Sequence, residues 1–232
     1  MNTAIVTGAS SGIGLSISKE LLNLGYKVYG LGRDFSKSNL DNNNFIKLEC
    51  NLMDINSLVT KINEIKKSND IKILVNNAGI GYLAPHEELN PKKIHEMVTI
   101  NLEVPLVLSQ ILLRTLKKNK GYIINISSIE AKKSSAHGCA YGATKAALSH
   151  FSSSLFDETR KYGVKVITIH PDITKSNFYR NSNFKEGAND DSFLMPEEIA
   201  SAVAMAISQR DNLVITDITI RPQKFSIQRI LL

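Results

Sequence analysis

The chain has 232 residues, 43% of them apolar and 22% charged, with no tryptophan. That length suits one globular domain able to bury a core without disulfide or metal staples, and an ordinary apolar content with only 13 glycines and 6 prolines excludes collagen-like and disordered classes. The net charge of +6 raises the question of nucleic acid, but the lysines are scattered in pairs such as Lys66-Lys67 and Lys132-Lys133, without a basic run or interleaved aromatics, so no nucleic-acid partner is expected.

The first residues, MNTAIVTGASSGIG, lack the basic start and unbroken apolar stretch of a secretory signal, and nowhere do 18 consecutive apolar residues occur. A cytoplasmic protein without membrane contact is expected. Cys50 and Cys139 are too few for a disulfide framework and have no zinc-ligand spacing nearby, so both are expected to be buried or partly buried free thiols, with no metal site.

Branched apolar runs alternate with segments of helical period. Ala4 to Thr7 forms a short strand, and Ile13, Ile17, Leu21, Leu22 and Leu24 share one face of the helix that follows. Between them lies Thr7-Gly8-Ala9-Ser10-Ser11-Gly12-Ile13-Gly14. A strand, a turn with three glycines and a helix N-terminus form a cradle for a pyrophosphate: Gly8 permits the tight turn, Gly12 lets backbone N–H groups approach, and Gly14 lets helix and strand pack closely. The second strand, Lys27 to Leu31, ends at Gly32-Arg33. Arg33 there suits the 2′-phosphate of NADP, whereas Asp34, if the strand ended later, would suit the free ribose of NAD.

Further strands are expected at Phe45 to Glu49, Ile71 to Val75, Tyr122 to Ile126, Val164 to Ile169 and Leu213 to Ile218, and helices from Asp54 to Lys67, Pro91 to about Lys117, Ala140 to Lys161 and Pro196 to Ser208. Seven strands with helical crossovers imply an α/β fold, a doubly wound parallel sheet in a single domain spanning residues 1–232. Within the long helix, Pro105 cannot donate to the carbonyl of Asn101. The freed carbonyl either holds a water or marks a simple kink. The stretch from about Asp172 to Met195 has no period but contains Phe178, Tyr179, Phe184 and Phe193. It is either a lid over something apolar or a surface loop packed on its own domain. Arg180 and Lys185 within it are candidates to meet a carboxylate.

Tyr141 and Lys145 lie four residues apart on one helical face, and Ser127-Ser128 follows the fifth strand, at the sheet edge where ligands bind. A lysine cation beside a phenol favours the phenolate, and a serine hydroxyl can hold the oxygen that the phenol protonates. Taken together, these motifs resemble the short-chain dehydrogenase/reductase family in its single-domain branch. The match runs through TGASSGIG, Asn76-Asn77-Ala78-Gly79, Asn101, Ser128 and Tyr141-Gly142-Ala143-Thr144-Lys145, with Ser128 preferred over Ser127 for its thirteen-residue distance from Tyr141.

The resemblance implies a Rossmann-type sheet and an NAD(P)-dependent oxidoreductase acting on a small-molecule carbonyl or alcohol, with NADP(H) favoured and NAD(H) as the alternative. It makes Tyr141 the acid/base, Lys145 its partner and ribose ligand, Ser128 the substrate-orienting hydroxyl and Asn101 the end of a proton relay. Cofactor contacts are implied at Gly8, Ser10, Ser11, Gly12, Ile13, Gly14, Arg33, Asn51, Leu52, Asn77, Ala78, Gly79, Pro171, Ile173 and Ser176, and a homodimer or homotetramer is expected. Two departures stand out: Asn51 replaces the family's usual aspartate, and Asp172 replaces the glycine that normally follows Pro171. The tail from Ile218 to Gln223 is more like the branch of serine and 3-hydroxy-acid dehydrogenases. Glu130, His137 and Cys139 border the signature and are further candidates to touch substrate. The rival reading is a dinucleotide-binding sensor or regulatory protein of the same fold, which would have no use for the acid/base set.

Overall fold

A computed structural model describes residues 2–181 and 184–229, with the side chains of 180, 181 and 229 outside the description. Its strands are β1 (Thr3–Thr7), β2 (Lys27–Gly32), β3 (Phe45–Glu49), β4 (Ile71–Asn76), β5 (Tyr122–Ile126), β6 (Lys165–Pro171), β7 (Phe184–Glu186), β8 (Asp217–Ile220) and β9 (Ile227–Arg229). The helices are α1 (Gly12–Asn23), α2 (Ile55–Ser68), α3 (Pro91–Val98), α4 (Val104–Asn119), α5 (Cys139–Thr159) and α6 (Pro196–Ile207). Seven strands form one parallel sheet in the order β3-β2-β1-β4-β5-β6-β8. Chain order reverses between β1 and β4, and a doubly wound sheet opens a ligand crevice at that point.

Each face of the sheet buries its own core. Ala4, Val6, Ile124 and Ile167 pack with Ile17, Leu21 and Val203 of α1 and α6. Ile5, Leu74, Ile123 and Val166 pack on the other face with Leu58, Ile62, Leu108, Leu112 and Leu155 of α2, α4 and α5. Helices on both faces explain why the central strands are nearly continuous in branched apolar residues. Among the described residues one helical run, Pro91–Asn119, is long and apolar enough to cross a membrane, with mean hydropathy 1.4, but Val104, Leu108, Leu112 and Leu116 spend its apolar face against the sheet.

Pro105 leaves its mark as a π-helical turn over Thr99–Glu103, in which Val104 N–H donates to the carbonyl of Thr99, one residue further back than in an α-helix. The seventh strand of the sheet lies at 217–220 rather than at 213–218. The aperiodic stretch includes β7, which pairs antiparallel with β9 of the C-terminal tail, a second sheet that the sequence does not suggest. Cys50 is buried as expected, whereas Cys139, in the first turn of α5, is exposed.

A polar ladder crosses the second core. Asn76 Nδ2 donates to Asn125 Oδ1 at 2.8 Å, Asn125 Nδ2 to Ser152 Oγ at 2.7 Å, and Ser152 Oγ to the Leu148 carbonyl at 2.7 Å. Asn125→Leu strands the Asn76 amide, so it is expected to lower stability by about 1–3 kcal/mol in denaturant unfolding, and adding Asn76→Leu to recover part of the loss.

Candidate active site

The carboxyl ends of β1 and β4 are sewn together by one threonine and one asparagine. Thr7 Oγ1 accepts from the backbone N–H groups of Asn77 and Ala78, both at 3.0 Å, and Asn77 Nδ2 donates to the Thr7 carbonyl at 2.9 Å. Gly8 turns away from this seam at φ +67°, where a Cβ would lie 2.9 Å from Asn77 Nδ2. Gly14 packs so tightly on the Gly8 carbonyl and Asn77 that no side chain fits. The N-cap of α1, Ser11, makes no side-chain capping bond. The first-turn N–H groups are thus left for a ligand, as an anion cradle requires.

One cavity of about 940 Å³ begins at this turn and runs to Tyr141. Gly8, Ser10, Ser11, Gly12, Ile13, Arg33, Asn51, Leu52, Asn77, Ala78, Gly79, Pro171, Ile173 and Ser176 line it, together with Ser128, Tyr141 and Lys145. Gly14 and Asn101 are not in the lining: the first packs behind the turn and the second is fully buried. Arg33 is exposed at the rim. Asp34 is not in the lining, because its carboxylate is folded back onto Ser36, accepting from the backbone N–H at 2.7 Å and the hydroxyl at 2.9 Å, bonds that lower its pKa. Asn51 Oδ1 accepts from Met53 N–H at 3.1 Å, so the residue turns the chain at the cavity wall without supplying a charge.

The π turn aims Asn101 inward. Its Oδ1 accepts from Ile80 N–H, and its Nδ2 donates to the Ile80 carbonyl, each at 2.9 Å, and to Thr144 Oγ1 at 3.1 Å. Lys145 is 3% exposed and donates to the Ile126 carbonyl at 2.8 Å; burial with no carboxylate partner pushes its pKa down to about 8. Lys145 Nζ and Asn101 Oδ1 flank one point beside Gly79, 3.4 and 3.5 Å from where a Cβ would sit.

Tyr141 is likewise buried, and burial raises its phenol above the ordinary value; the hydrogen bond with Ser128 works against that shift and the charge of Glu130 adds to it. Lys145 is not among the groups that shift it, so the expected lowering of the phenol by the lysine is absent in the cofactor-free chain. The ammonium sits 5.9 Å from the ring centroid and spends its hydrogen bond on Ile126.

The two serines separate by their partners. Ser127 Oγ donates to the Lys145 carbonyl at 3.0 Å and lies 2.9 Å from Ser149 Oγ, bracing α5. Ser128 Oγ accepts from Glu130 N–H at 3.2 Å and meets the phenol. Below it is a group that the sequence does not single out: His170, 1% exposed, whose Nδ1 lies 3.2 Å from the Ser128 carbonyl and whose Nε2 lies 2.8 Å from Asp217 Oδ2. Asp172, also in the cavity lining, has both carboxylate oxygens engaged: Oδ1 accepts from Ile173 N–H at 2.8 Å and Oδ2 from Arg221 Nε at 3.0 Å.

The aperiodic stretch is zipped at its root, with Lys175 N–H donating to the Leu194 carbonyl and Leu194 N–H to Ile173, each at 2.8 Å. Its aromatics stack outward from the phenol: Phe178 lies 5.5 Å from Tyr141, Tyr179 5.3 Å from Phe178 and Phe184 5.3 Å from Tyr179. Gly81 makes room for Phe178, since a Cβ there would be 2.8 Å from the ring. Lys185 is exposed, while the side chain of Arg180 and residues 182 and 183 lie outside the described residues. His137, in the cavity wall at φ +65°, accepts from Ala84 N–H at 2.9 Å and ties two loops of the wall together.

Residues 2–187 match the family model for short chain dehydrogenases. The chain is 32% identical over 231 residues to an uncharacterized oxidoreductase of Staphylococcus saprophyticus, covering 94% of this chain and 96% of that one. It is 30% identical to a probable NADP-dependent dehydrogenase of Haemophilus influenzae, covering 95% and 93%. A metagenomic short-chain oxidoreductase solved in complex with NADP superposes with a TM-score of 0.78 at 27% identity, covering 95% of this chain and 97% of that one. The fold and the ordered site motifs define a dinucleotide-type oxidoreductase, and the chain belongs to the short-chain dehydrogenase family.

The buried amine has a measurable consequence. Between pH about 8 and the unfolded-chain value of 10.5, the unfolded state holds a proton on Lys145 that the folded state has released, so this group's contribution to stability rises with pH across that window. Calorimetry of the cofactor-free protein is therefore expected to show any Tm advantage of Lys145→Met over wild type shrinking as pH rises through that interval. A difference independent of pH contradicts the assignment.

Proposed function

We propose that the protein is an NADP(H)-dependent oxidoreductase interconverting a small-molecule carbonyl and a secondary alcohol, with Tyr141 as acid and base. The observation that carries this reading is the meeting of Ser128, Tyr141 and Lys145 in the same cavity as the uncapped glycine turn before α1. When bound, the nicotinamide supplies or accepts the hydride. The residues that would hold the dinucleotide are the turn from Gly8 to Gly14, Arg33 at the rim, Asn51 and Leu52 beneath the adenine end, Asn77 to Gly79 at the seam, and Pro171, Ile173 and Ser176 across from them. Arg33 facing the cavity, with Asp34 folded onto Ser36, favours a 2′-phosphate, in keeping with the Haemophilus relative being named a probable NADP-dependent dehydrogenase. NAD(H) is the weaker alternative.

In reduction, the phenol of Tyr141, kept protonated by burial, gives its proton to the substrate oxygen while the Ser128 hydroxyl holds that oxygen in place. Lys145, whose pKa burial brings down to about 8, returns a proton to the phenol and is itself resupplied from solvent through a water held at the Asn101 backbone carbonyl. The segment 172–195 acts as the lid, laying Phe178 against the acid. Two free cysteines suit a reducing cytoplasm, and assembly as a homodimer or homotetramer follows from the family resemblance.

Tyr141→Phe is expected to lower kcat by about 10²–10⁴, the usual worth of general acid catalysis, with NADPH affinity changed only a few fold in fluorescence titration. Full turnover by that variant refutes the mechanism. Separately, Arg33→Ser is expected to weaken NADPH binding by about ten- to hundredfold, the equivalent of a charged hydrogen bond, and to leave NADH binding nearly as it was.

A further inference from the structure

β7 and β9 form an antiparallel ribbon with Phe184 opposite Arg229, Lys185 opposite Gln228 and Glu186 opposite Ile227. The C-terminal tail is thereby strapped to the lid. Lys224 reinforces the strap twice, its N–H donating to the Asp191 carbonyl at 2.9 Å and its Nζ lying 2.7 Å from Asp191 Oδ2. On the far side, Phe225 faces Lys133, whose Nζ lies 5.5 Å from the ring centroid. Lys133 belongs to the loop after Ser128 and pairs with Glu130 at 3.5 Å. The tail therefore bridges the lid and the Ser128 loop across the mouth of the cavity.

Phe225 and Ile227 line that cavity, yet they are 62% and 41% exposed. Large apolar side chains held at the start of a hydrogen-bonded ribbon, Ile227 within it and Phe225 just before it, and left wet gain free energy when another apolar surface covers them. The same cavity holds the Tyr141 phenol and the Ser128 hydroxyl, and the rings of Phe178, Tyr179 and Phe184, stacked outward from the phenol, line it as well. We infer that the substrate carries an apolar arm, aryl or alkyl, beside its reacting carbon, and that Phe225 and Ile227 of the tail select it. The inference rests on the oxidoreductase reading for the reacting carbon. The occupant is a single molecule reaching from the phenol to the tail, because Tyr141, Ser128, Phe225 and Ile227 all line the one cavity.

The test measures binding of 1-phenylethanol and propan-2-ol to the NADP⁺-loaded full chain by ligand-observed NMR titration. Wild type is expected to prefer 1-phenylethanol by about tenfold or more, the return on covering one large apolar side chain. Phe225→Ala with Ile227→Ala is expected to bring that ratio close to one, and Phe225→Leu to keep most of it. Both positions are exposed, so the variants retain the core. Failure of wild type to bind 1-phenylethanol, or an undiminished ratio in the double variant, overturns the inference. An undiminished ratio with a smaller assembly in sedimentation shows that a second copy of the chain covers the pair instead. Turnover of the same two alcohols is read separately: no NADPH from either refutes the oxidoreductase reading, whereas the binding ratio alone decides the role of the tail.

Discussion

The site depends on the hydroxyl of Thr7. Two parallel strands that part company at a switch point would leave their last backbone groups unpaired, and here one buried oxygen accepts from two of them while reaching back to the Val75 carbonyl at 3.4 Å. Asn77 completes the seam from the other side. The positions of the glycine turn and of Gly79 follow from it, because both leave the sheet at this stitch. The direction of α1, and with it the bare N–H groups of its first turn, is set by the tight seating of Gly14 on the same seam.

Behind the seam, the pattern is one of polar groups held in dry surroundings by single partners. Among the described residues Lys145 has the Ile126 carbonyl as its hydrogen-bond partner and no paired carboxylate, so burial brings the amine's pKa down to about 8. Tyr141 is pushed the opposite way by the same burial, toward the neutral phenol. The same burial therefore leaves a phenol that keeps its proton beside an amine that still holds most of its own at neutral pH but releases it about one pH unit above. Asp172 is handled differently: a buried carboxylate where the resemblance leads one to expect glycine is paired with Arg221, on the segment after β8, which offsets its charge.

Legibility in the sequence followed the range of the interaction. The central strands and the Tyr141–Lys145 face were plain because they rest on periodicity within a few residues. The seventh strand was placed four residues early because β8 lies at the sheet edge and alternates exposed and half-buried positions, Asp217-Ile218-Thr219-Ile220, whereas the apolar run just before it is not in the ladder. The ribbon of β7 with β9 was invisible, since three-residue strands drawn from distant parts of the chain leave no local pattern. Asp172 stood out as a departure, but nothing near it in the chain announced Arg221. Cys139 is expected inside because cysteines usually are; it lies instead on the exposed side of the first turn of α5. His170 escaped notice because its partners, Ser128 and Asp217, are brought to it only by neighbouring strands of the finished sheet.

The parallel bridge between Thr174 and Leu194 closes the proposed lid at its root, so the chain re-enters the domain beside the point where it left. Residues between those anchors can change in length or composition without shifting β6 or α6, since closing a longer loop costs little once its ends are fixed. The lid is in that sense a removable cassette. The tail that pairs with it, however, is encoded some 40 residues downstream, so a functional exchange between relatives requires both pieces to travel together. Transplanting the lid alone would break the ribbon, and divergence within one piece places selection on the other.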